Sequence, residues 1–493
     1  MGLFDALLTS LKSIAGRKKE FDELLAQKDI SAIIDQMTTR RDLIIDAQKD
    51  YDTFQHPVNF RDPKLITDKD GRLVRKEEVW KIPVPYPVYI NEIALVFLYG
   101  RPVKWSKKSD GTENAWAAFQ KVIKDTRFDA KVRQCKRLAG AETESAMLFR
   151  VYKDTETGAD GRTAETPKVQ IRVLAKSKGD DIRVRWDQYE NIISIGWGYY
   201  VKEDNDNTNY HFDIFTPAVI YRCRRVARGW EVTEEQNPVG KIPIILFQQE
   251  KEWAGTEKML YRLESVASRT ADTNDYFADP IAVMDADVIK NMPEKQAANK
   301  LLIAKGIRDG GVDKVAKYLT WDNAPQSKKD EVEWLENKIH TMSFTPNISF
   351  ETLKSVSQLS AKALKTVMLL ADIKASKRKE SHDELLDRTA SLIAAIIGNV
   401  LDVSLADECR RLVVEHEFQE PFGEDVAEAL SNIVKAYDAG IMSMETAVVT
   451  NPLIKDGHAE FQKVEKEADE RAERQKDLFS ATQDTGDIMG TPE

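Results

Sequence analysis

The chain has 493 residues, of which 42% are hydrophobic and 31% are charged, a globular composition that fits roughly three domains. Its 72 lysines and arginines against 82 aspartates and glutamates give a formal net charge of −10, which argues against a basic coat for nucleic acid. The cysteines, Cys135, Cys223 and Cys409, are three in number and far apart. This argues against a disulfide framework and a cysteine zinc site, and it favours a reducing cytoplasm.

The N-terminal region, residues 1–50, is predicted to be helical and amphipathic, because Phe4, Leu7, Leu8 and Leu11 have helical spacing. We interpret that apolar face as core and not as a membrane contact. No stretch of the chain reaches the roughly 18 apolar residues of a spanning helix, and the first residues match neither a signal peptide nor the myristoylation pattern. We therefore expect no membrane partner and no export.

Prolines and then strand-like runs mark the next part of the chain. Alternating prolines in Lys81-Ile82-Pro83-Val84-Pro85-Tyr86-Pro87 exclude a helix there, and the apolar segment that follows predicts one buried helix ending at Gly100. From about 145 to 250, β-branched and aromatic runs predict a meandering antiparallel sheet. A turn at Asn237-Pro238-Val239-Gly240 leads into its edge strand. The runs are 146–152, 169–174, 192–200, 210–215 and 219–224.

Two helices with narrow apolar seams are predicted around a small insert. After Gly255 the first has apolar residues three or four apart and ends at Pro280. Short extended runs between 278 and 325 predict an α/β insert. Ser327 with Asp330 then predicts the cap of the second helix. The seam residues are Leu260, Leu263, Ala267, Val332, Leu335 and Ile339.

A long helix is predicted from near Leu359 towards Ile397, roughly 60 Å at about 1.5 Å per residue. We interpret its basic residues as a solvated face, with a nucleic-acid contact as the alternative. The last hundred residues are predicted to be helical again, and about the final fifteen to be disordered. The basic residues are Lys374, Lys377, Arg378 and Lys379.

Catalytic motifs are weak or missing in the sequence. Gly240-Lys241 lacks the upstream glycine and the following hydroxyl of a phosphate-binding loop. The six histidines form no HExxH pair, and there is no Gly-x-Ser-x-Gly elbow. Asp285 and Asp287 would share one face of a strand and could hold a divalent metal of the nuclease type, against the simpler interpretation of solvated carboxylates. The sequence therefore favours an architectural protein that is not an enzyme and needs no metal or cofactor.

Several local patterns, in a fixed order from about residue 80 to 470, resemble the portal proteins of tailed bacteriophages, in particular those of siphophages. Each pattern is weak alone, and their order is the informative part. One departure is Ser360-Ala361, where that family often has Ser-Gly. The patterns are Lys81-Ile82-Pro83 with Leu98-Tyr99-Gly100-Arg101-Pro102-Val103, Asn237-Pro238-Val239-Gly240-Lys241-Ile242-Pro243-Ile244, Asp275-Tyr276-Phe277-Ala278-Asp279-Pro280, Tyr318-Leu319-Thr320-Trp321-Asp322, Thr345-Pro346-Asn347-Ile348-Ser349 with Ser360-Ala361-Lys362-Ala363-Leu364, and Ala439-Gly440-Ile441-Met442-Ser443-Met444-Glu445-Thr446-Ala447 with Asn451-Pro452.

The resemblance implies an α+β portal fold with an α/β wing, a two-helix stem, a small α/β clip, a long wing helix and a helical crown. It also implies that the stem seams pack against neighbouring subunits of a ring. The implied regions are the wing (1–254), the first stem helix (255–277), the clip (278–326), the second stem helix (327–343), a tunnel loop (344–359), the long wing helix (360–400) and the crown with its tail (401–493).

The function implied by the resemblance is a ring, usually of twelve subunits, at one capsid vertex in the virion, assembled in the host cytoplasm. The resemblance implies that double-stranded DNA passes through it, and an acidic protein with sparse cations suits such sliding. Terminase large subunit, a head-completion or adaptor protein, and the major capsid and scaffolding proteins are the implied partners. Two alternatives stay open: a ring-shaped scaffold that conducts no DNA, and the nuclease above. The channel candidates are Thr352, Lys354, Ser355, Ser357, Gln358 and Lys362.

Overall fold

The computed structural model describes residues 23–68, 70–157, 163–202, 208–278, 281–285, 301–304, 316–319, 324–348, 361–421, 426–454, 457 and 460–471. Helices and strands are mixed along these ranges, as the α+β class predicts. The chain divides into two compact units. One comprises residues 1–359 and 363–419, and the other comprises residues 360–362 and 420–493.

Two helices, α1 (Ile30–Gln36) and α2 (Arg41–Tyr51), begin the first unit. The Asp29 carboxylate accepts a hydrogen bond from the Ala32 amide (3.1 Å) and so caps α1. Ile33 is fully buried, so the inward face of α1 is core. This agrees with the helical prediction for residues 1–50 from residue 23 onwards. The apolar residues from which that prediction started, Phe4, Leu7, Leu8 and Leu11, lie outside the described ranges.

The predicted buried helix is confirmed as α3 (Tyr86–Tyr99). It begins inside the proline segment, because Pro87 fits the first turn of a helix, so the predicted exclusion of a helix is wrong for Tyr86 and Pro87. At its end the Gly100 amide donates to the Val96 carbonyl (2.9 Å). Two further helices, α4 (Glu113–Asp125) and α5 (Phe128–Glu142), pack beside it. Arg127, between these two helices, has a left-handed backbone with φ of 53°. Short 3-10 turns cover Thr53–Gln55, Pro57–Phe60, Lys176–Lys178 and Val403–Leu405.

The predicted meander consists of two sheets and not one. Five strands run antiparallel in chain order. The hairpin of β4 and β5 instead pairs with β11 in a separate three-stranded sheet, whose edge strand β11 follows the proline turn as predicted. The strands are β4 (Glu144–Thr157), β5 (Thr163–Leu174), β6 (Asp181–Trp186), β7 (Ile192–Lys202), β8 (Thr208–Phe215), β9 (Val219–Val226), β10 (Gly229–Gln236) and β11 (Ile244–Gln248).

The two sheets pack face to face over an apolar cluster. Leu148 and Leu174 of the three-stranded sheet contact Ile195, Phe215 and Ile220 of the five-stranded sheet. Burial of these side chains holds the sheets together, since each fully buried aliphatic side chain stabilises the fold by about 1.5–3 kcal/mol. A separate ribbon pairs β1 (Lys64–Thr67) with β2 (Leu73–Glu77).

The helix, insert and helix pattern is confirmed. Helix α6 (Glu257–Ala278) and helix α7 (Ala324–Met342) flank three short strands. Helix α7 begins three residues before the predicted Ser327 cap, because Pro325 fits the first turn of a helix. In the small sheet the first strand runs parallel to the second and antiparallel to the third. The strands are β12 (Ile281–Asp285), β13 (Leu301–Ala304) and β14 (Ala316–Leu319).

The long helix is confirmed as α8 (Ala361–Ile396), which continues into a π-helical turn at Ile397–Leu401. The prediction of a helical crown from residue 401 is wrong at its start. Residues up to 419 belong to the first unit, where α9 (Ala406–Arg411) precedes the strand β15 (Val414–Glu417). Strand β15 pairs with β3 (Lys104–Lys107), which places His416 opposite Trp105 over the main core.

The second unit is helical where it is described. It contains α10 (Val426–Asp438) and α11 (Met444–Val449), and residues 460–471 are also helical. The Ser443 hydroxyl accepts a hydrogen bond from the Thr446 amide (3.2 Å) and caps α11. The tail that we predict to be disordered lies outside the described residues.

The three cysteines are free thiols and all are buried. Burial raises the pKa of Cys135 and Cys223 to about 12, so neither thiol is a reactive thiolate near neutral pH. Among the described helices, none has the length and the apolar run required to cross a bilayer.

Candidate functional site

The predicted seam residues of α6 and α7 pack together inside one chain. Leu260, Leu263, Leu335 and Ile339 are at most 5% exposed and share a cluster with buried Trp253. The other two seam residues, Val332 and Ala267, are half-buried. The chain itself therefore covers four of the six side chains that the resemblance assigns to subunit packing. Contacts between subunits along these helices would require other side chains.

A row of polar side chains on α6 holds the extended segment that precedes α3. Every second amide of the segment donates to this row, because successive amides of an extended chain point in opposite directions. The acceptors lie one helical turn apart, so the segment runs antiparallel along the helix. The hydrogen bonds join Trp80 N to Asp272 Oδ1 (2.7 Å), Ile82 N to Ser268 Oγ (3.0 Å) and Val84 N to Glu264 Oε1 (2.8 Å).

The alternating prolines fit this arrangement. Pro83 and Pro85 occupy the positions whose amides would point away from α6, and proline has no amide hydrogen to lose there. At the end of the row, the Trp80 indole donates to Asp275 (2.5 Å) and Arg61 pairs with Asp272 (2.8 Å). The polar row therefore fixes α6 to the N-terminal part of the first unit.

A buried imidazole strengthens the same contact. His56 Nδ1 lies 2.6 Å from Glu264 Oε1, and His56 Nε2 lies 2.8 Å from the Asp50 carbonyl. Both side chains of the pair are 2% exposed. Burial opposes the charged imidazole, but the hydrogen bonds and negative charge of these partners outweigh burial and raise the pKa of His56. In the protonated imidazole both ring nitrogens donate, one to each acceptor.

The chain that leaves α7 is clamped by aromatic side chains of α3. The Tyr89 hydroxyl donates to the Pro346 carbonyl (2.8 Å) and accepts from the Ile348 amide (3.0 Å). His340 packs edge-on against the Tyr89 ring, and its Nδ1 lies 3.2 Å from the Thr345 carbonyl. Burial lowers the pKa of His340. These contacts fix the chain up to residue 348, just before the predicted channel residues.

One carboxylate collects three cations inside the first unit, and we call these four residues the Glu252 cluster. The Glu252 side chain is fully buried, and Lys136 Nζ contacts its Oε1. Lys374 Nζ lies 3.2 Å from Oε2, and Arg378 Nε lies 3.4 Å from Oε1. Lys136 belongs to α5, while Lys374 and Arg378 lie one turn apart on α8. The Glu252 cluster therefore connects α5, the loop after β11 and the long helix.

The cluster also reaches the chain that follows α7. Lys374 Nζ donates to the carbonyls of Glu252 (2.8 Å) and Ser343 (3.0 Å). Arg378 donates to the Glu250 carbonyl (3.0 Å). Helix α8 and the segment beginning at Ser343 are thus attached to each other through one ammonium group.

Charges and burial shift the pKa values of the cluster in opposite directions. Burial alone would raise the pKa of Glu252, but the three cations outweigh it and lower that pKa. Burial lowers the pKa of Lys374 to about 8, with partial compensation by Glu252. On the next turn of α8, burial and the charges of Lys136 and Arg378 lower the pKa of His382 to about 3. His382 is therefore neutral at physiological pH.

The basic residues of the long helix do not form one solvated face. Lys374 and Arg378 turn inward to the Glu252 cluster, so the solvated interpretation is wrong for these two. Lys379 lies 5.6 Å over the Phe418 ring, and Lys377 is exposed. The sequence contained a signal for the inward pair, because Lys374, Arg378 and His382 are spaced by four residues and share one helix face.

The predicted channel residues stay a prediction. Thr352, Lys354, Ser355, Ser357 and Gln358 lie outside the described residues. The backbone of Lys362 lies in the first turn of α8.

Of the two aspartates in the alternative nuclease-type metal site, only Asp285 lies within the described residues. Asp285 ends β12, and Asp287 lies outside the described ranges. Among the described histidine, cysteine, aspartate and glutamate side chains, no group of three or more could hold a metal ion.

Comparison with known proteins identifies relatives. A family model described as phage portal protein, SPP1 Gp6-like, matches residues 72–474. The portal protein of Bacillus phage SPP1 is 26% identical over 253 residues, which are 49% of this chain and 47% of that protein. The matched region thus spans about half the length of that relative.

Two solved structures resemble the chain at 10% sequence identity. The first, the neck of a native GTA particle computed with C12 symmetry, has a TM-score of 0.39 and covers 75% of this chain and 90% of that chain. The second, the neck of an empty GTA particle computed with C6 symmetry, also has a TM-score of 0.39 and covers 85% of this chain and 95% of that chain.

Proposed function

Since the SPP1 Gp6-like family model covers residues 72–474, the chain belongs to this family of phage portal proteins, and we propose that it forms the portal ring of a capsid. The ring stands at one vertex of the virion, with twelve subunits as the family resemblance implies. Double-stranded DNA passes through its centre during packaging and ejection. The match carries this proposal, because it runs through α6, the small sheet, α7 and α8.

The partners follow from this role. We propose that the terminase large subunit and then a head-completion or adaptor protein dock on the small sheet between α6 and α7. The major capsid and scaffolding proteins surround the ring during assembly in the host cytoplasm. The chain itself carries out no catalysis in this proposal, because the work of packaging belongs to the terminase.

Exposed apolar side chains on α7 and α8 support assembly into a ring. On α7, Trp334 is 56% exposed and Met342 is 52% exposed. On α8, Leu369 is 53% exposed and Ile373 is 46% exposed. Large apolar side chains that stay in solvent mark interaction surfaces. We propose that a neighbouring subunit covers these four side chains, a role that the buried seam residues cannot fill.

We propose that each subunit makes a weak contact with DNA and that the ring repeats this contact in every subunit. Duplex DNA carries one negative charge per about 1.7 Å, so a strongly basic bore would hold it in place. The formal net charge of −10 suits passage instead. Lys354 and Lys362 would each contribute one positive charge per subunit to the bore, with Thr352, Ser355, Ser357 and Gln358 as polar neighbours.

Packaging by a double variant tests the channel role. Lys354→Ala with Lys362→Ala should lower the DNA protected from nuclease in each head, because two positive charges per subunit are lost from the bore. Ring assembly should not change, since the subunit contacts proposed above are apolar. The matched control is Lys76→Ala with Lys121→Ala, two lysines that lie on β2 and α4. Normal DNA content in the first variant would remove both lysines from the channel.

A further inference from the structure

A cleft of about 850 Å³ lies between the three-stranded and the five-stranded sheet. Its volume is in the range of cavities that bind ligands, roughly 300–1,000 Å³. Strands β4 and β5 form one wall, and strands β7 to β10 with the turn after β10 form the other. The portal role proposed above does not require this cleft, and it assigns no partner to it.

The lining of the cleft is cationic in a protein that is acidic overall. Five lysine or arginine side chains line it against one carboxylate, Glu235. Some are held by buried acids: Arg172 lies 3.4 Å from Asp180, and Arg222 lies 2.5 Å from Asp213. Within the described part of the chain, the other three cations have no carboxylate partner. Lys178 Nζ donates to the Val173 carbonyl (2.8 Å), which leaves Lys131 and Arg150 for a ligand.

A free strand edge lies in the same cleft. Strand β11 pairs with β4 only from Glu144 to Leu148, and the next backbone bond, from the Phe149 amide to the Pro243 carbonyl (2.8 Å), ends that side of the ladder. On its other side β4 pairs with β5 from Ala146 to Thr157. From Arg150 onwards, therefore, β4 has a described partner strand on one side only. Such an edge can pair with another extended chain.

The aromatic residues of the cleft favour a peptide over a nucleic acid. The Trp197 ring stacks on Tyr199 with centroids 4.0 Å apart, and Tyr199 stacks on His211 at 5.4 Å. The Arg172 guanidinium lies 4.7 Å over Trp197. These rings already stack on each other, which leaves little aromatic surface for bases. A free β edge, in contrast, recognises the backbone of a peptide.

We propose that this cleft binds an extended acidic segment of a partner protein. The segment pairs with the free edge of β4 and directs its carboxylates at Lys131 and Arg150. Backbone pairing provides the register, and the two cations select acidic side chains. Apolar residues of the segment contact Val151 and Val239 on the walls.

Fluorescence polarisation with the full-length protein tests this proposal. The probe is a fluorescein-labelled peptide of about nine residues in which valine and aspartate alternate. It should bind, and Arg150→Glu should weaken binding by about tenfold or more, since a favourable charge pair becomes repulsive. Lys131→Glu is the second variant, and it should weaken binding for the same reason. The control Lys76→Glu makes the same change in net charge on the exposed strand β2, and it should bind like the wild type.

Two modified probes separate the parts of the proposal. A peptide with lysine in place of aspartate should not bind. The acidic peptide methylated on alternate backbone nitrogens should lose binding, because it cannot pair with a strand edge. Unchanged binding of the methylated peptide, or wild-type affinity for the acidic peptide in both cation variants, would overturn the proposal.

Two further results would assign the cleft to another occupant and overturn the proposal in that way. Tighter binding of a fluorescein-labelled oligothymidylate, with the same dependence on Arg150, would show a nucleic-acid site. Dissociation of the oligomer by the acidic peptide or by Arg150→Glu would show that a second copy of the chain fills the cleft. Circular dichroism of each variant verifies that it is folded.

Discussion

The two sides of the long helix α8 differ in what they expose. Lys374, Arg378 and His382 face inward with side chains at most 16% exposed, whereas Leu369 and Ile373 face solvent at 53% and 46% exposure. A surface helix usually buries its apolar stripe and exposes its charges. Between Leu369 and His382, charges attach α8 to its own chain, and large apolar side chains are left for another molecule.

Apolar packing on the inward side is modest near Lys374 and Arg378, whereas the C-terminal half of α8 buries Leu386, Ile393 and Ile396 in the main core. Met368, Ala371 and Ala375 pack on Phe97 there, and alanine side chains bury little area. The Glu252 cluster supplies specific contacts instead. Buried ion pairs are expensive to desolvate, so they determine position more than they add stability. We infer that the cluster fixes how α8 lies on α5, on the loop after β11 and on the chain that leaves α7.

Removal of the central carboxylate should have the largest effect. Glu252→Gln leaves three cations together in a buried site, and we expect a loss of about 3–5 kcal/mol in the free energy of unfolding. Urea denaturation measures it. Glu250→Gln, two residues away and exposed, is the control and should change little. A loss below about 1 kcal/mol for Glu252→Gln would show that the inward side does not depend on the cluster.

Helix α7 also has a buried side and an exposed side, on which the adjacent residues Leu335 and Trp334 lie. The buried side gives the second test. Leu335 is 3% exposed, so Leu335→Ala should cost about 2–5 kcal/mol of protomer stability through lost contacts and a cavity. Mass photometry of the folded variant should still show the oligomer. Loss of the oligomer at unchanged melting temperature would instead return the seam to the subunit interface.

The neighbouring Trp334 tests the outer side. Because this side chain is 56% exposed, Trp334→Glu should leave protomer stability nearly unchanged. It should weaken each subunit contact by about 2 kcal/mol or more, as expected for a central aromatic residue of an interface. Mass photometry should show smaller species than the wild type. A normal oligomer for this variant would exclude Trp334 from the interface.

The last test is a dependence on pH, whose effect is the smallest of the four near neutral pH. The folded pKa of His382 is lowered to about 3, so the unfolded chain binds this proton first. The His382 contribution should therefore reduce stability as pH falls from about 6.5 towards 3, with a slope of up to about 1.4 kcal/mol per pH unit. In His382→Gln this slope is removed, so the two melting-temperature profiles should converge or cross at acidic pH. Parallel profiles would contradict the neutral buried imidazole.

Local signals predicted much of the fold. Alternating prolines followed by an apolar run located α3, Gly100 located its end, and helical periodicity located α6, α7 and α8. Two strands were missed. Asp181–Trp186 alternates apolar and charged residues, a strand signal that was overlooked, whereas Gly229–Gln236 has two apolar residues in eight and is revealed by its pairing in the sheet. The division into two sheets also depends on pairing between distant strands, which periodicity does not report.

For the functional residues, too, local spacing was visible in the sequence, whereas contacts between distant parts of the chain were not. The four-residue spacing of Lys374, Arg378 and His382 shows a shared face, but the direction of that face depends on Glu252, more than a hundred residues earlier in the chain. Burial of Leu260 and Leu335 by the same chain also depends on distant residues such as Ile90. The channel residues around Lys354 rest on the family resemblance and stay a prediction.

Cryo-electron microscopy of the purified protein tests the central claim most directly. The account predicts closed rings, with twelve subunits, an axial opening wide enough for a DNA duplex, and subunit contacts that cover Trp334 and Leu369. Rings without such an opening, or a protein that stays monomeric at every concentration, would contradict it.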